Sequence, residues 1–384
     1  MKISRLVEQI PPSGIRAFFD LVLGMKDVIS LGVGEPDFVT PWNIRERAIY
    51  SLEEGYTSYT SNKGMAELRR DISRHLQNKY GLKYDHEEEI LVTVGVSEAF
   101  DLAIRAIVEK GAEVLITDPC YVSYGPIVTL CAGTPVPIKT PSEKGFKISP
   151  KDINKACSSG TKAIILNYPT NPTGASYSRK ELTAISEIVA RRGLIMLSDE
   201  IYCELTYDFG HTAFPVLPGM KERTVYLNGF SKAYAMTGWR IGYACGPREI
   251  IAAMTKIHQY TMMCVPITSQ MAAREALKSG DRAIQEMKRE YRRRRQFVVS
   301  RLNEIGLSCH MPEGAFYAFP SIRSTGMSSM EFAGKLLASQ KVAVVPGTAF
   351  GASGEGHVRI SYASSFENLK EALSRMERFL KDRP

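Results

Sequence analysis

Short apolar runs that close on a polar or small residue recur through the first two thirds of the chain. They fall at residues 90–94, 113–117, 134–138, 162–166, 194–198, 224–228 and 241–245. Unbroken runs of this length predict strands buried on both faces. Between most of them the apolar positions repeat at helical spacing, over residues 97–108, 149–157 and 178–191. Strand and helix in alternation predict an α/β fold with a mostly parallel, seven-stranded sheet and ligands at the carboxyl edge of its strands. Beyond about Pro266 the pattern changes. Long amphipathic helices, one over about residues 281–304, lead to short strand-like runs at 315–319, 342–345 and 357–362 and a closing helix at 367–380. That reads as a second, smaller α+β domain. A length of 384 residues agrees, being long for one core. The expected division is a large domain over residues 31–275 and a small one over 276–384.

Composition narrows the class. Hydrophobic residues at 44% and charged residues at 23% are ordinary for a soluble globular enzyme, and no apolar run approaches the roughly 18 residues that would span a membrane. Charges in Met1-Lys2-Ile3-Ser4-Arg5-Leu6-Val7-Glu8 occupy the place of a signal peptide's apolar core, which predicts a cytoplasmic protein. The seven cysteines are scattered, odd in number and never C-x-x-C, which suits buried thiols in a reducing compartment. The six histidines lie too far apart for an H-x-x-x-H pair, so no metal is expected. A formal charge of +8 and the run Arg292-Arg293-Arg294-Arg295 raise a nucleic-acid reading. Glu286, Glu290 and Glu304 share that helical stretch and no nucleic-acid-binding motif accompanies it, so a solvated helix face is expected instead.

Four segments carry candidate chemistry. Lys232 and Arg240 follow the run Thr224-Val225-Tyr226-Leu227, and together they can set an amine and a guanidinium around one phosphorylated carbonyl compound. Asp199 ends Leu194-Ile195-Met196-Leu197-Ser198, with Tyr202 three residues on. Asp199 is either a carboxylate delivered to a ligand or the cap of a helix. Asn171 lies in Asn167-Tyr168-Pro169-Thr170-Asn171-Pro172-Thr173-Gly174, a loop stiffened by two prolines, where it either faces a ligand or satisfies its own backbone. Val94-Gly95-Val96-Ser97 is a glycine turn into a helix, whose N–H groups suit an anion; Ser97 could equally be only a cap. Three near-misses carry less. Residues 32–37 lack the third glycine of a dinucleotide fingerprint, Gly229-Phe230-Ser231-Lys232-Ala233 lacks the last glycine of a nucleophile elbow, and Gly351-Ala352-Ser353-Gly354-Glu355-Gly356 reads as a flexible surface loop.

In their order and spacing, N-P-T-G, S-D-E-I-Y and S-K-x-x-x-M-T-G-W-R resemble the class I/II, fold-type I pyridoxal-phosphate aminotransferases, notably prokaryotic aspartate and aromatic amino-acid enzymes. The resemblance runs from Leu31 to Ala363. It implies pyridoxal 5′-phosphate held by Lys232 as a Schiff base, with Lys232 as the general base once freed. It gives the pyridine nitrogen to Asp199, the ring oxygen to Tyr202 and Asn171, and the ring face to Tyr121, for which core packing is the alternative. Phosphate falls to Arg240, Val96 and Ser97, with Ser231 nearby, and to Tyr59 reaching across from a partner subunit of a homodimer. Arg359 fits the substrate α-carboxylate, with Gly34 and Asn171 beside it. The first 30 or so residues are expected to join the small domain. Gly229 departs from the pattern, standing where animal and enteric aspartate enzymes place a phosphate-binding serine.

The implied reaction is transamination of aspartate or aromatic donors in a ping-pong cycle through pyridoxamine phosphate, with 2-oxoglutarate as acceptor. A β-eliminating carbon–sulfur lyase on the same fold is the alternative. Ser97 stands where some bacterial aspartate enzymes keep a lysine for the distal carboxylate, which tilts the expectation toward a broad enzyme. Ile15 and Met262-Met263-Cys264 are candidates for the side-chain pocket, against ordinary packing.

Overall fold

The computed structural model describes residues 3–12, 14 and 25–382. After a short β1 (Ile29–Ser30) come β2 (Ile90–Thr93), β3 (Glu113–Asp118), β4 (Thr134–Lys139), β5 (Thr161–Asn167), β6 (Ile195–Asp199), β7 (Thr224–Gly229) and β8 (Gly242–Cys245). The last seven form one sheet in the order β2-β8-β7-β6-β5-β3-β4. All seven predicted strands are there. Neighbours run parallel except at β8, which is antiparallel to both β2 and β7. The chain leaving β7 therefore doubles back over the carboxyl edge, and the segment from Lys232 to Arg240 lies in that return.

β7 is buried along its whole length and β6 along all but its first residue, as expected of central strands covered on both faces. Helices Pro150–Ala156 and Arg179–Arg191 each open on a capping box, Ser149 with Asp152 and Ser178 with Glu181. The helix after β2 starts at Gly95, two residues before the expected start. Gly95 sits at φ 72°, a conformation that lets the chain turn from strand to helix at once. Val94 is the cap, so Ser97 belongs to the first turn and is no cap.

Beyond Pro266 the helices Ile267–Ser279 and Asp281–Glu304 lead to β9 (Tyr317–Ala318), β10 (Val342–Ala343), β11 (Val345–Pro346) and β12 (Val358–Ser361). β11, β12 and β9 form an antiparallel sheet, and β1 pairs in parallel with β10. These strands are shorter than their apolar runs. Pro320 and Pro346 lack the N–H that would continue a ladder. One core joins Leu31, Tyr291, Val298, Phe316, Phe332, Ile360 and Leu373. The expectation for residues 1–30 falls in part, and that for Ile15 wholly, outside the described residues.

Two expectations are corrected. Only half of the arginine run is a solvated face: Arg294 and Arg295 are buried. Arg294 holds the Asp37 carboxylate at 2.8 and 2.9 Å, and Arg295 holds Asp208 at 2.6 and 2.9 Å. They share the inner helix face with Tyr291 and Val298, where a guanidinium is tolerated only with a carboxylate beside it. Residues 351–356 are likewise no loose loop. Ser353 donates its N–H and hydroxyl to Asp118, and Gly354 packs against Gly347.

Candidate active site

The carboxyl ends of β5, β6 and β7 open into a cavity of about 650 Å³. Its lining holds Gly34, Val96, Ser97, Tyr121, Asn171, Asp199, Tyr202, Ser231, Lys232, Arg240 and Arg359, every residue predicted for the cofactor, the catalysis or the α-carboxylate except Tyr59. Tyr59 stays outside, its side chain 82% exposed on the surface. Met262 and Met263 are also exposed and Cys264 does not line the cavity, so that segment is no pocket wall in a single chain. The Met263 carbonyl instead accepts from Asn62, close to Tyr59 in sequence.

Lys232 is the amine of the site and is partly buried. Burial, opposed by Glu35 and reinforced by Arg359 and Arg240, lowers its pKa from the ordinary lysine value to about 8. Roughly a tenth of it is the free amine at pH 7 and half at about pH 8, far more than for an ordinary lysine. Its Nζ donates to the Gly34 carbonyl at 2.6 Å. The carboxyl of Asp199 is shifted the other way, to about 6, because burial outweighs the hydrogen bonds that favour its charged form. Tyr124 donates to Oδ2 at 2.6 Å and the Ile201 N–H to Oδ1 at 3.2 Å. No helix begins at Asp199, so it is not the helix cap the sequence allowed for; one oxygen closes a turn with Ile201 and the other accepts from Tyr124.

The Tyr202 hydroxyl meets that of Tyr317 at 2.8 Å, and burial first, then Tyr317, raises its pKa well above the ordinary value. It is a neutral phenol that can donate to an anionic oxygen. Asn167 and Asn171 divide the two readings of their loop. Asn167 Oδ1 accepts from the Asn171 N–H at 2.9 Å, the self-satisfied turn, whereas Asn171 Oδ1 accepts from Arg359 Nη1 at 2.9 Å and leaves its NH₂ for a ligand. Arg359 is fully buried, stacks over Tyr317 and Phe350, donates Nη2 to the Gly32 carbonyl at 2.5 Å, and keeps Nε buried without a partner among the described residues. A Cβ on Gly34 would stand 3.0 Å from the Tyr317 hydroxyl, so glycine keeps this wall open.

At the other end, the first turn of the helix Gly95–Ile107 faces Arg240, whose Nη1 donates to the Thr237 carbonyl at 2.9 Å. The first N–H groups of a helix have no partner within it, and with Arg240 they are suited to seat an anion. Glycines make it possible. A Cβ on Gly95 would lie 2.7 Å from the Arg240 guanidinium, and one on Gly242 would lie 2.7 Å from Val96 N. At Gly229 a Cβ would come within 2.9 Å of Gly242 Cα and 3.0 Å of the Ile241 carbonyl. The serine absent from position 229 would not fit this packing.

Sequence reading missed Tyr124, Tyr317 and Asn167. Tyr124 follows Tyr121 by three residues on a short helix, Tyr124–Leu130, and only the fold brings it to Asp199. Asn167 ends the apolar run of β5 as Asp199 ends that of β6, and that shared position was the available signal.

Residues 26–376 match the family described as aminotransferase class I and II. The chain is 58% identical to the Bacillus subtilis protein YugH, itself assigned to the aminotransferases only provisionally, over 98% of both chains. It is 45% identical to the aspartate aminotransferase of Pyrococcus abyssi, over 100% of this chain and 99% of that one. The crystal structure of the aromatic aminotransferase from Pyrococcus horikoshii superposes with a TM-score of 0.91 at 45% identity, covering 96% of this chain and 99% of that one.

Proposed function

The chain belongs to the class I and II aminotransferases, and on that premise we propose that it transaminates aspartate and aromatic L-amino acids with pyridoxal phosphate and 2-oxoglutarate, in a ping-pong cycle. The observation that carries this reading is the meeting of Lys232, Asp199, Arg240 and Arg359 in one cavity.

The donor set fits the cofactor. Asp199 is a buried carboxyl wanting a cation such as a protonated pyridine nitrogen, and Tyr202 with the Asn171 NH₂ suits a phenolic oxygen. Arg240, Ser97 and the Val96–Ser97 N–H groups suit a phosphate, with Ser231 beside them and Tyr121 against the ring. When bound, pyridoxal phosphate supplies an electrophilic carbon and a ring that takes up the electrons of a carbanion. Lys232 would hold the cofactor's carbonyl carbon through the amine that its lowered pKa makes available, with loss of water, and would carry the proton at the substrate Cα once released. Arg359 and Gly34 hold the α-carboxylate so that the Cα–H bond points at the amine.

Relatives of equal identity are named for aspartate and for aromatic substrates, which favours a broad donor range. A homodimer is part of the reading: Tyr59 is exposed, as are Trp42, Tyr50, Leu52 and Tyr56 near it in sequence, apolar side chains that a second copy would cover while receiving Tyr59 at its phosphate. So are a cytoplasmic location, in keeping with seven free cysteines, and the division into residues 31–275 and 276–384 with 1–30 joining the latter.

The test is a panel of amino donors. Keto-acid formation from aspartate and phenylalanine, strictly dependent on 2-oxoglutarate, is expected. Pyruvate and ammonia released from cysteine-type donors without acceptor would replace the reading with a carbon–sulfur lyase.

A further inference from the structure

The turn that opens the helix Gly95–Ile107 is held by two side chains that the proposed chemistry does not use. Glu98 reaches back over the first turn, its Oε2 accepting from the Val94 N–H at 2.5 Å. Its Oε1 meets His258 Nδ1 at 2.6 Å. His258 is fully buried in the last turn of the helix Arg248–Thr261, and its other ring nitrogen is buried without a partner among the described residues.

A carboxylate is ordinary in the first turn of a helix, but not beside a seat for an anion. Glu98 immediately follows Ser97, in the same first turn whose N–H groups are suited to seat an anion. Left uncompensated, it would repel a phosphate there. Two features offset this. The carboxylate is spent on the Val94 N–H, which precedes the helix, and not on the N–H groups of Val96 or Ser97. Its second oxygen is satisfied by an imidazole N–H. That imidazole sits in the last turn of the helix Arg248–Thr261, which ties the carboxylate to that neighbour.

We propose that Glu98 and His258 are positioning residues for the cofactor phosphate. Their hydrogen bonds clamp the Val94–Ser97 turn to the neighbouring helix, so that the free N–H groups are aimed before any anion arrives. The pair touches neither substrate nor cofactor and acts only through the backbone it holds. The inference rests on the reading of this turn as the phosphate seat.

The experiment measures equilibrium binding of pyridoxal phosphate and of pyridoxal, which lacks the phosphate, to cofactor-free protein. Glu98→Ala is expected to weaken pyridoxal phosphate about 10-fold, the size of one lost hydrogen bond to a charged group, while pyridoxal changes less than about twofold. Glu98→Gln, which keeps an acceptor for Val94, should recover most of the loss. Should Glu98→Ala not fold, His258→Asn carries the same comparison with Glu98 left in place. Equal weakening of both ligands would reduce the pair to ordinary packing and overturn the inference, as would no weakening of either. A wild-type protein that binds the two ligands equally would overturn the phosphate seat itself.

Discussion

The two ends of the cavity are named for the cofactor ring and the substrate carboxylate proposed to lie there. At the ring end, Asn167, Asp199 and Lys232 come from the ends of β5, β6 and the turn after β7, three adjacent parallel strands in shared register. At the carboxylate end, Arg359 lies on a different sheet and is fixed by Gly32, 327 residues away, and by Asn171, 188 residues away. The first region is set by one sheet and its burial. The second exists only when the carboxy-terminal core closes over the carboxyl edge of the large sheet. The ring end should therefore govern chemistry common to every substrate, and the carboxylate end should govern which molecules are held and in what orientation.

The largest effect should come from the ring end. Lys232→Ala removes both the nucleophile and the proton carrier, and turnover should fall by about 10⁴-fold or more with every donor. Steady-state assays with aspartate, phenylalanine and a carboxylate-free amine would break the comparison if any of the three survived. Asp199→Ala should cost about 10²- to 10³-fold, again without regard to donor, while far-UV circular dichroism stays native. Wild-type kinetics in that variant would leave Asp199 only its turn-capping role.

Arg359→Ala sharpens the contrast, since its effect should depend on the substrate. kcat/KM should drop about 10²-fold or more for aspartate and phenylalanine together, the scale for leaving one charge of a buried pair alone. The carboxylate-free amine should be nearly unaffected. Arg359→Lys should restore little, because an ammonium keeps the charge and loses the planar fork. Loss confined to aspartate would make Arg359 a reader of the distal carboxylate.

Tyr124→Phe should be the mildest. Its hydroxyl favours the charged form of Asp199 against the effect of burial, so its removal should push the Asp199 carboxyl further up from about 6. The acid limb of the pH–rate profile should move to higher pH, with a loss of about 10-fold at the optimum. An unmoved limb would separate Tyr124 from the titration of Asp199.

The ring end was largely legible in the sequence because each group follows its own apolar run, and an apolar run that stops on a charged residue marks a strand end. Lys232, Asp199 and Asn171 could be placed that way without knowing the sheet order. Tyr124 could not, since its partner is 75 residues distant and nothing in its helix distinguishes it from a packing tyrosine. Tyr317, which meets Tyr202 across 115 residues, was hidden for the same reason. The arginine run misled because periodicity was read from composition: Glu286, Glu290 and Glu304 suggested a wet face, while the partners of Arg294 and Arg295, Asp37 and Asp208, arrive from other segments. Gly229 was legible as a departure but not as a necessity, because the backbone it approaches belongs to Gly242 on the next strand.

The central claim is that one lysine, Lys232, whose pKa is lowered to about 8, is the amine on which the site depends. It is tested most directly by adding pyridoxal phosphate to cofactor-free protein across a pH series, trapping with borohydride and locating the label by mass spectrometry. A lysine whose folded pKa lies below its ordinary value loses its proton, and gains reactivity, as pH rises through that lowered value. Label should appear on Lys232, with a rate that rises to half its maximum near pH 8. Label spread over surface lysines, or a rate that climbs only near the ordinary lysine pKa of about 10.4, would contradict the account.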